Sequence, residues 1–139
     1  MPPPIRLLYA EDDLDTRDMI CLALEAEGFE VVCPDSPRDF LMKAEAGKWD
    51  AFMLDTWMPQ MSGVDLCKRI REFDPTTPII FYSAAAYERD KKQALECGAQ
   101  AYIVKPVAFE VLTASIRSVV ESRQKKSGAA GKAFRQSPD

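Results

Sequence analysis

The sequence predicts an α/β fold, a doubly wound parallel sheet of five strands with helices on both faces. Three observations predict it. Strand-like apolar runs alternate five times with capped, helix-like stretches, at about 20–25 residues per unit. The run at 51–54 is apolar throughout, as a short buried strand is. The chain has 139 residues, which suits one domain around one core. Right-handed strand–helix–strand crossovers then limit the topologies open to it.

The first strand is read at 5–10, ending at Glu11, Asp12 and Asp13. A helix follows over 14–27, with Met19, Leu22, Ala23 and Ala26 on one face and Gly28 as its stop. The second strand is 29–33. Ser36, Pro37 and Asp39 then carry a helix start, with a serine cap, a proline in the first turn and an acid three residues on. That helix ends at Gly47. The third strand delivers Asp55 at its C-terminal end. Ser62 and Asp65 repeat the capping spacing before a helix whose Leu66, Ile70 and Phe73 share a face, and Asp74–Pro75 ends it. The fourth strand, 78–82, ends at Ser83. A weaker helix fills 88–97, and Gly98 stops it. The fifth strand, 101–104, ends at Lys105–Pro106. The last helix is read over 107–122, with Phe109, Leu112, Ile116 and Val119 as its apolar stripe. After it the composition turns to Lys, Ser, Gly, Ala and Gln without apolar periodicity. Residues 123–139 are therefore expected to be a flexible basic tail, and 1–4 a short extension before the domain.

Composition removes several function classes. Apolar residues make up 47% and charged residues 29%, as in ordinary globular proteins. No apolar run approaches the roughly 18 residues of a membrane span. The first residues lack a signal-peptide pattern, so a cytoplasmic location is the expectation. There is no histidine, which excludes Ser-His and Cys-His catalysis and a phosphohistidine carrier. Cys21, Cys33, Cys67 and Cys97 form no C-x-x-C pair and are read as reduced structural residues. Five Lys/Arg against one Asp lie in 123–139, so the body of the chain is more acidic than the net charge of −4 suggests. An acidic body argues against broad nucleic-acid binding.

In a parallel sheet all C-terminal strand ends share one edge, and ligands bind there where the strand order switches. Glu11, Asp12, Asp55, Ser83 and Lys105 all stand at such ends. Each alone is ordinary: an acid at a helix start, a turn hydroxyl, a solvated lysine. Together they suit one chemistry. Close carboxylates repel unless a cation relieves them, and Mg²⁺ fits a site of few carboxylates plus waters. A carboxylate can attack phosphorus, and phosphoryl transfer asks mainly for positioning and charge neutralisation. Lys105 and Ser83 can contact the transferred oxygens.

With these residues in place, the sequence resembles the receiver domain of two-component response regulators over 5–122. Glu11–Asp12 matches the acidic pair after the first strand. Asp55, Met58, Pro59, Met61 and Gly63 match the phosphoacceptor loop, Ser83–Ala84 the end of the fourth strand, and Lys105–Pro106 the end of the fifth. The resemblance implies a flavodoxin-like fold with strand order 2-1-3-4-5, the order of the family's chemotaxis member, carried over rather than derived. It implies that Asp55 accepts a phosphoryl group from a phosphohistidine on a sensor histidine kinase or histidine phosphotransfer protein. It implies Mg²⁺ held by Glu11, Asp12, Asp55 and the Trp57 backbone carbonyl, and an often-cis Lys105–Pro106 bond. Ser83 and Tyr102 are then switch residues that reshape the face of the fourth helix, fifth strand and fifth helix.

Trp57 departs from the smaller residues of many relatives. Its indole either shields the phosphoryl group or lines a groove. Ser83 stands where Thr is commoner, and Ala84, Ala85 and Ala86 make an unusually small loop. No effector motif follows Ser122, so the expected output is protein–protein contact by a stand-alone receiver, monomeric or weakly dimeric through that switching face. The alternative is a scaffold of the same fold that never uses its phosphate site. A flavodoxin-type flavin site is disfavoured because Glu11–Asp12–Asp13 would repel a phosphate. An Asp-nucleophile phosphatase or mutase is disfavoured because Trp57 stands where its second Asp would be.

Overall fold

The computed structural model describes residues 3–136, with side chains described through Lys125. Five strands and five helices alternate: β1 (Arg6–Ala10), α1 (Leu14–Ala26), β2 (Glu30–Val32), α2 (Pro37–Ala46), β3 (Ala51–Leu54), α3 (Gly63–Phe73), β4 (Ile79–Ser83), α4 (Glu88–Glu96), β5 (Ala101–Val104) and α5 (Phe109–Gln136). The strands form one parallel sheet of order β2-β1-β3-β4-β5. This is the order the resemblance implied.

The two-residue period of a strand divides the core into two layers. Leu8, Phe52, Leu54, Ile79 and Phe81 face α2 and α3, where Phe40, Leu66 and Ile70 cover them. Leu7, Tyr9, Met53, Ile80 and Ile103 face α1 and α5, where Ile20, Leu24, Leu112 and Ile116 cover them. With both faces buried, the C-terminal strand ends remain to carry polar groups.

Local capping sets where the helices begin. The Ser36 hydroxyl accepts from the Asp39 N–H at 3.0 Å, and the Ser62 hydroxyl from the Asp65 N–H at 3.1 Å. Asp13 caps α1, its carboxylate accepting from the Thr16 N–H at 3.1 Å. Gly28 and Gly98 follow α1 and α4 with φ of +94° and +109°, a conformation that glycine adopts without a Cβ penalty.

Three expectations need correction. The buried stripe of α1 is Ile20 and Leu24, whereas Met19 and Leu22 are 60% and 68% exposed. The last helix, read over 107–122, does not stop near Ser122 but continues to Gln136. Arg, Gln, Lys and Ala in that stretch are good helix formers, while Gly128 and Gly131 among them are poor ones. Residues 137–139 lie outside the described residues. Cys21 and Cys33, expected as separate thiols, have their sulfurs in bonding contact across the α1–β2 interface, with Cα atoms 7.8 Å apart. Cys67 and Cys97 are free, as read. Among the described residues no helix is long and apolar enough to cross a membrane.

Candidate functional site

The sheet brings Glu11, Asp55, Ser83 and Lys105 to one edge because each directly follows or ends a strand. The Asp55 N–H donates to the Ala10 carbonyl at 3.1 Å, which sets Asp55 beside Glu11. The Lys105 N–H donates to the Ser83 carbonyl at 2.9 Å, which joins the ends of β4 and β5. β1 is the switch point, since β2 lies on one side of it and β3 on the other.

Glu11, Asp12 and Asp55 each offer a carboxylate oxygen, and these oxygens lie within 4.8 Å of one another. Glu11 is buried, Asp55 is 9% exposed, and Asp12 is open to solvent. Lys105 reaches across the site. Its Nζ pairs closely with Glu11 Oε1 and lies 3.5 Å from Asp55 Oδ2. The same ammonium stands 5.0 Å from the centre of the Tyr82 ring. The Lys105–Pro106 bond is cis. Burial alone would lower the Lys105 pKa, but the Glu11 hydrogen bond and the Asp55 charge outweigh it and hold the ammonium above its ordinary value. Burial raises the Glu11 carboxyl, a shift that Lys105 opposes and Asp55 reinforces.

Other expected residues fall into place unevenly. The Ser83 side chain is buried and accepts from the Ala85 N–H at 3.1 Å, a role that leaves its hydroxyl hydrogen to donate. The Trp57 N–H points to Asp55 Oδ1 at 3.4 Å, a long contact. Trp57 is 56% exposed and lines a groove with Val64, Lys68, Asp90 and Gln93. The Tyr102 ring stacks on Phe81 with centroids 5.7 Å apart, and its hydroxyl lies 2.6 Å from the Ala85 carbonyl.

Two site residues were not read from the sequence. Tyr9 donates to Glu11 Oε1 at 3.1 Å and is fully buried. Its position two residues before Glu11, which directly follows β1, puts both on one side of the extended chain, a period-two signal that was available. Thr56, beside Asp55, lies 2.9 Å from the Tyr102 hydroxyl. No spacing rule announces that contact.

A hard divalent cation fits this oxygen-only donor set, because it would relieve the repulsion among three carboxylates that one lysine only partly offsets. A carboxylate held next to an ammonium at an accessible edge can also act as a nucleophile.

The response regulator receiver domain profile matches residues 7–117. Transcriptional regulatory protein CseB of Streptomyces coelicolor is 38% identical over 120 residues, covering 86% of this chain and 51% of CseB. Response regulator ArlR of Staphylococcus saprophyticus is 35% identical over 121 residues, covering 87% of this chain and 54% of ArlR. The chain thus spans about half the length of these curated relatives. Among solved structures, a CheY-like receiver domain protein of Methanospirillum hungatei superposes with a TM-score of 0.83 at 28% identity, covering 88% of this chain and 98% of that one. Chemotaxis protein CheY4 of Vibrio cholerae gives 0.79 at 27% identity, covering 84% and 98%.

Proposed function

The chain belongs to the response regulator receiver domain family, and we propose that it accepts a phosphoryl group on Asp55 and signals through changed protein–protein contacts. The donor is a phosphohistidine on a sensor histidine kinase or histidine phosphotransfer protein. The observation that carries this reading is the convergence of Glu11, Asp12 and Asp55 with Lys105 bridging two of them.

An Asp55 carboxylate oxygen attacks phosphorus. The P–N bond of the donor breaks, its electron pair stays on the imidazole nitrogen, and an acyl phosphate forms on Asp55. Lys105 neutralises charge on the transferred oxygens, and Ser83 donates its free hydroxyl hydrogen to one of them. Glu11, Asp12, Asp55 and the Trp57 carbonyl would hold Mg²⁺. When bound, the ion supplies charge neutralisation at the phosphoryl oxygens. Water then attacks the acyl phosphate, inorganic phosphate leaves and the Asp55 carboxylate is restored, so the chemistry acts on the chain itself.

Ser83 and Tyr102 are the switch residues of this reading, and the face of α4, β5 and α5 is its output surface, whether the chain acts as a monomer or a weak dimer. The reading places its action in the cytoplasm. CseB is named a transcriptional regulatory protein and ArlR a response regulator, each about twice the length matched. The proposal of protein output without nucleic-acid contact therefore concerns the segment described here alone.

The test is intact mass after incubation with Mg²⁺ and acetyl phosphate. One acid-labile phosphoryl group is expected on the wild type and none on Asp55→Asn. No gain from either acetyl phosphate or a phosphorylated histidine donor would leave a scaffold that does not use its phosphate site.

A further inference from the structure

Tyr102 is tied to two loops at once, and the hydrogen bonds can be assigned. Its hydroxyl has one hydrogen. The Ala85 carbonyl can only accept, and it lies 2.6 Å away, so that hydrogen goes to Ala85. The contact with Thr56 Oγ1 at 2.9 Å must then run the other way, with Thr56 donating to the phenol oxygen. Thr56 is 5% exposed, so its hydroxyl has little access to water as an alternative partner. Ala85 is fastened at both ends, since its N–H donates to Ser83 Oγ at 3.1 Å. A continuous path results: Asp55 is bonded in sequence to Thr56, Thr56 is hydrogen-bonded to Tyr102, Tyr102 to Ala85, and Ala85 to Ser83. It links the ends of β3, β5 and β4.

We infer that Thr56 is a positioning residue: its hydroxyl fixes the Tyr102 ring against the β4–α4 loop and so couples the segment after Asp55 to that loop through one side chain. Valine at 56 keeps the shape but removes the donor, leaving the phenol oxygen short of a partner. Serine keeps the donor and loses a methyl. The Phe81 stack remains in both. The inference concerns the unphosphorylated chain, and only its consequence for signalling rests on the proposed function.

Fluorine NMR of 3-fluorotyrosine-labelled protein, without Mg²⁺ or phosphodonor, reads the ring directly. The four tyrosines give resonances assignable by Tyr→Phe variants. Thr56→Val is expected to shift the Tyr102 signal toward free fluorotyrosine, through a roughly three- to tenfold change in the population of the docked ring, the effect of one lost hydrogen bond. Tyr9, Tyr82 and Tyr87 should stay in place, and Thr56→Ser should keep the wild-type signal. An unmoved Tyr102 signal in Thr56→Val would overturn the inference, as would a Thr56→Ser signal that moves with it. If Thr56→Val does not fold, Thr56→Ala carries the same comparison with Thr56→Ser. Failure to gain phosphate with acetyl phosphate would bear on the function and leave this result untouched.

Discussion

Gly63 shows how narrowly a single residue sets the candidate site. A Cβ there would overlap the Asp55 carbonyl oxygen, stand 3.0 Å from its carbon and 2.9 Å from the Phe81 ring. The Gly63 N–H also donates to the Thr56 carbonyl at 2.9 Å, so α3 starts pressed against the backbone that carries Asp55. Backbone cannot yield as a flexible side chain does. Gly63→Ala should therefore cost about 2–4 kcal/mol, and it should slow phosphorylation by acetyl phosphate beyond what the lost stability explains. Thermal melts alongside intact-mass kinetics check this, and a variant as stable and reactive as wild type would refute it. At this scale the acids, Ser83 and Lys105 were legible because chemistry at a parallel sheet's edge follows from strand ends alone. Thr56 was not, because its role depends on its rotamer and on the neighbour the fold brings within 2.9 Å, whereas Tyr9 carried a legible two-residue spacing from Glu11.

Elements were legible where caps and glycines punctuate them, and less so where amphipathicity had to be apportioned between faces. The helix α1 carries apolar residues on two sides, so periodicity alone allowed Met19 and Leu22 as the core stripe. Packing instead chose Ile20 and Leu24, which meet the β1 and β3 residues beneath. The two stripes predict opposite outcomes. Leu24→Ala should lower stability by about 2–5 kcal/mol, and Leu22→Ala should stay within about 0.5 kcal/mol of wild type. Equal losses in chemical denaturation would return the stripe to Leu22. The end of α3 offers a pH test. Burial pushes the Asp74 carboxyl up, but the Thr77 hydroxyl and the N–H groups of Thr77 and Thr76 hold it below the usual carboxylate range. A depressed folded pKa gives stability that is present above the unfolded value and lost as pH falls through the folded one. Asp74→Asn should thus melt below wild type at neutral pH, with the gap closing below about pH 4. A gap of constant size would show that the carboxylate's charge plays no part.

The whole molecule places its least comfortable charges where its own packing helps them least. The sheet is covered on both faces, so the free polar edge is where Glu11, Asp12 and Asp55 gather, with Lys105 as the bridging cation among the described residues. Strand order put β1 and β3 side by side, which is why acids 44 residues apart in sequence, Glu11 and Asp55, meet at all. The alternation of strands and helices implied a parallel sheet with one shared edge, whereas the order that sets β1 beside β3 came with the family resemblance. The length of α5 came from neither, since a polar stretch can continue a helix as readily as leave it. Folding therefore works against carboxylate repulsion that a bound cation would relieve, and binding to the folded state alone adds stability by mass action. Mg²⁺ should raise the melting temperature, by the equivalent of about 2.7 kcal/mol at a hundredfold excess over Kd. A chelator should reverse the rise. Asp12→Asn, at the exposed corner of the cluster, should melt no lower than wild type in chelator because one repelling charge is gone. Its response to Mg²⁺ should be weaker because one ligand is gone. A variant that responds to Mg²⁺ as fully as wild type would place the stabilising cation elsewhere on the chain.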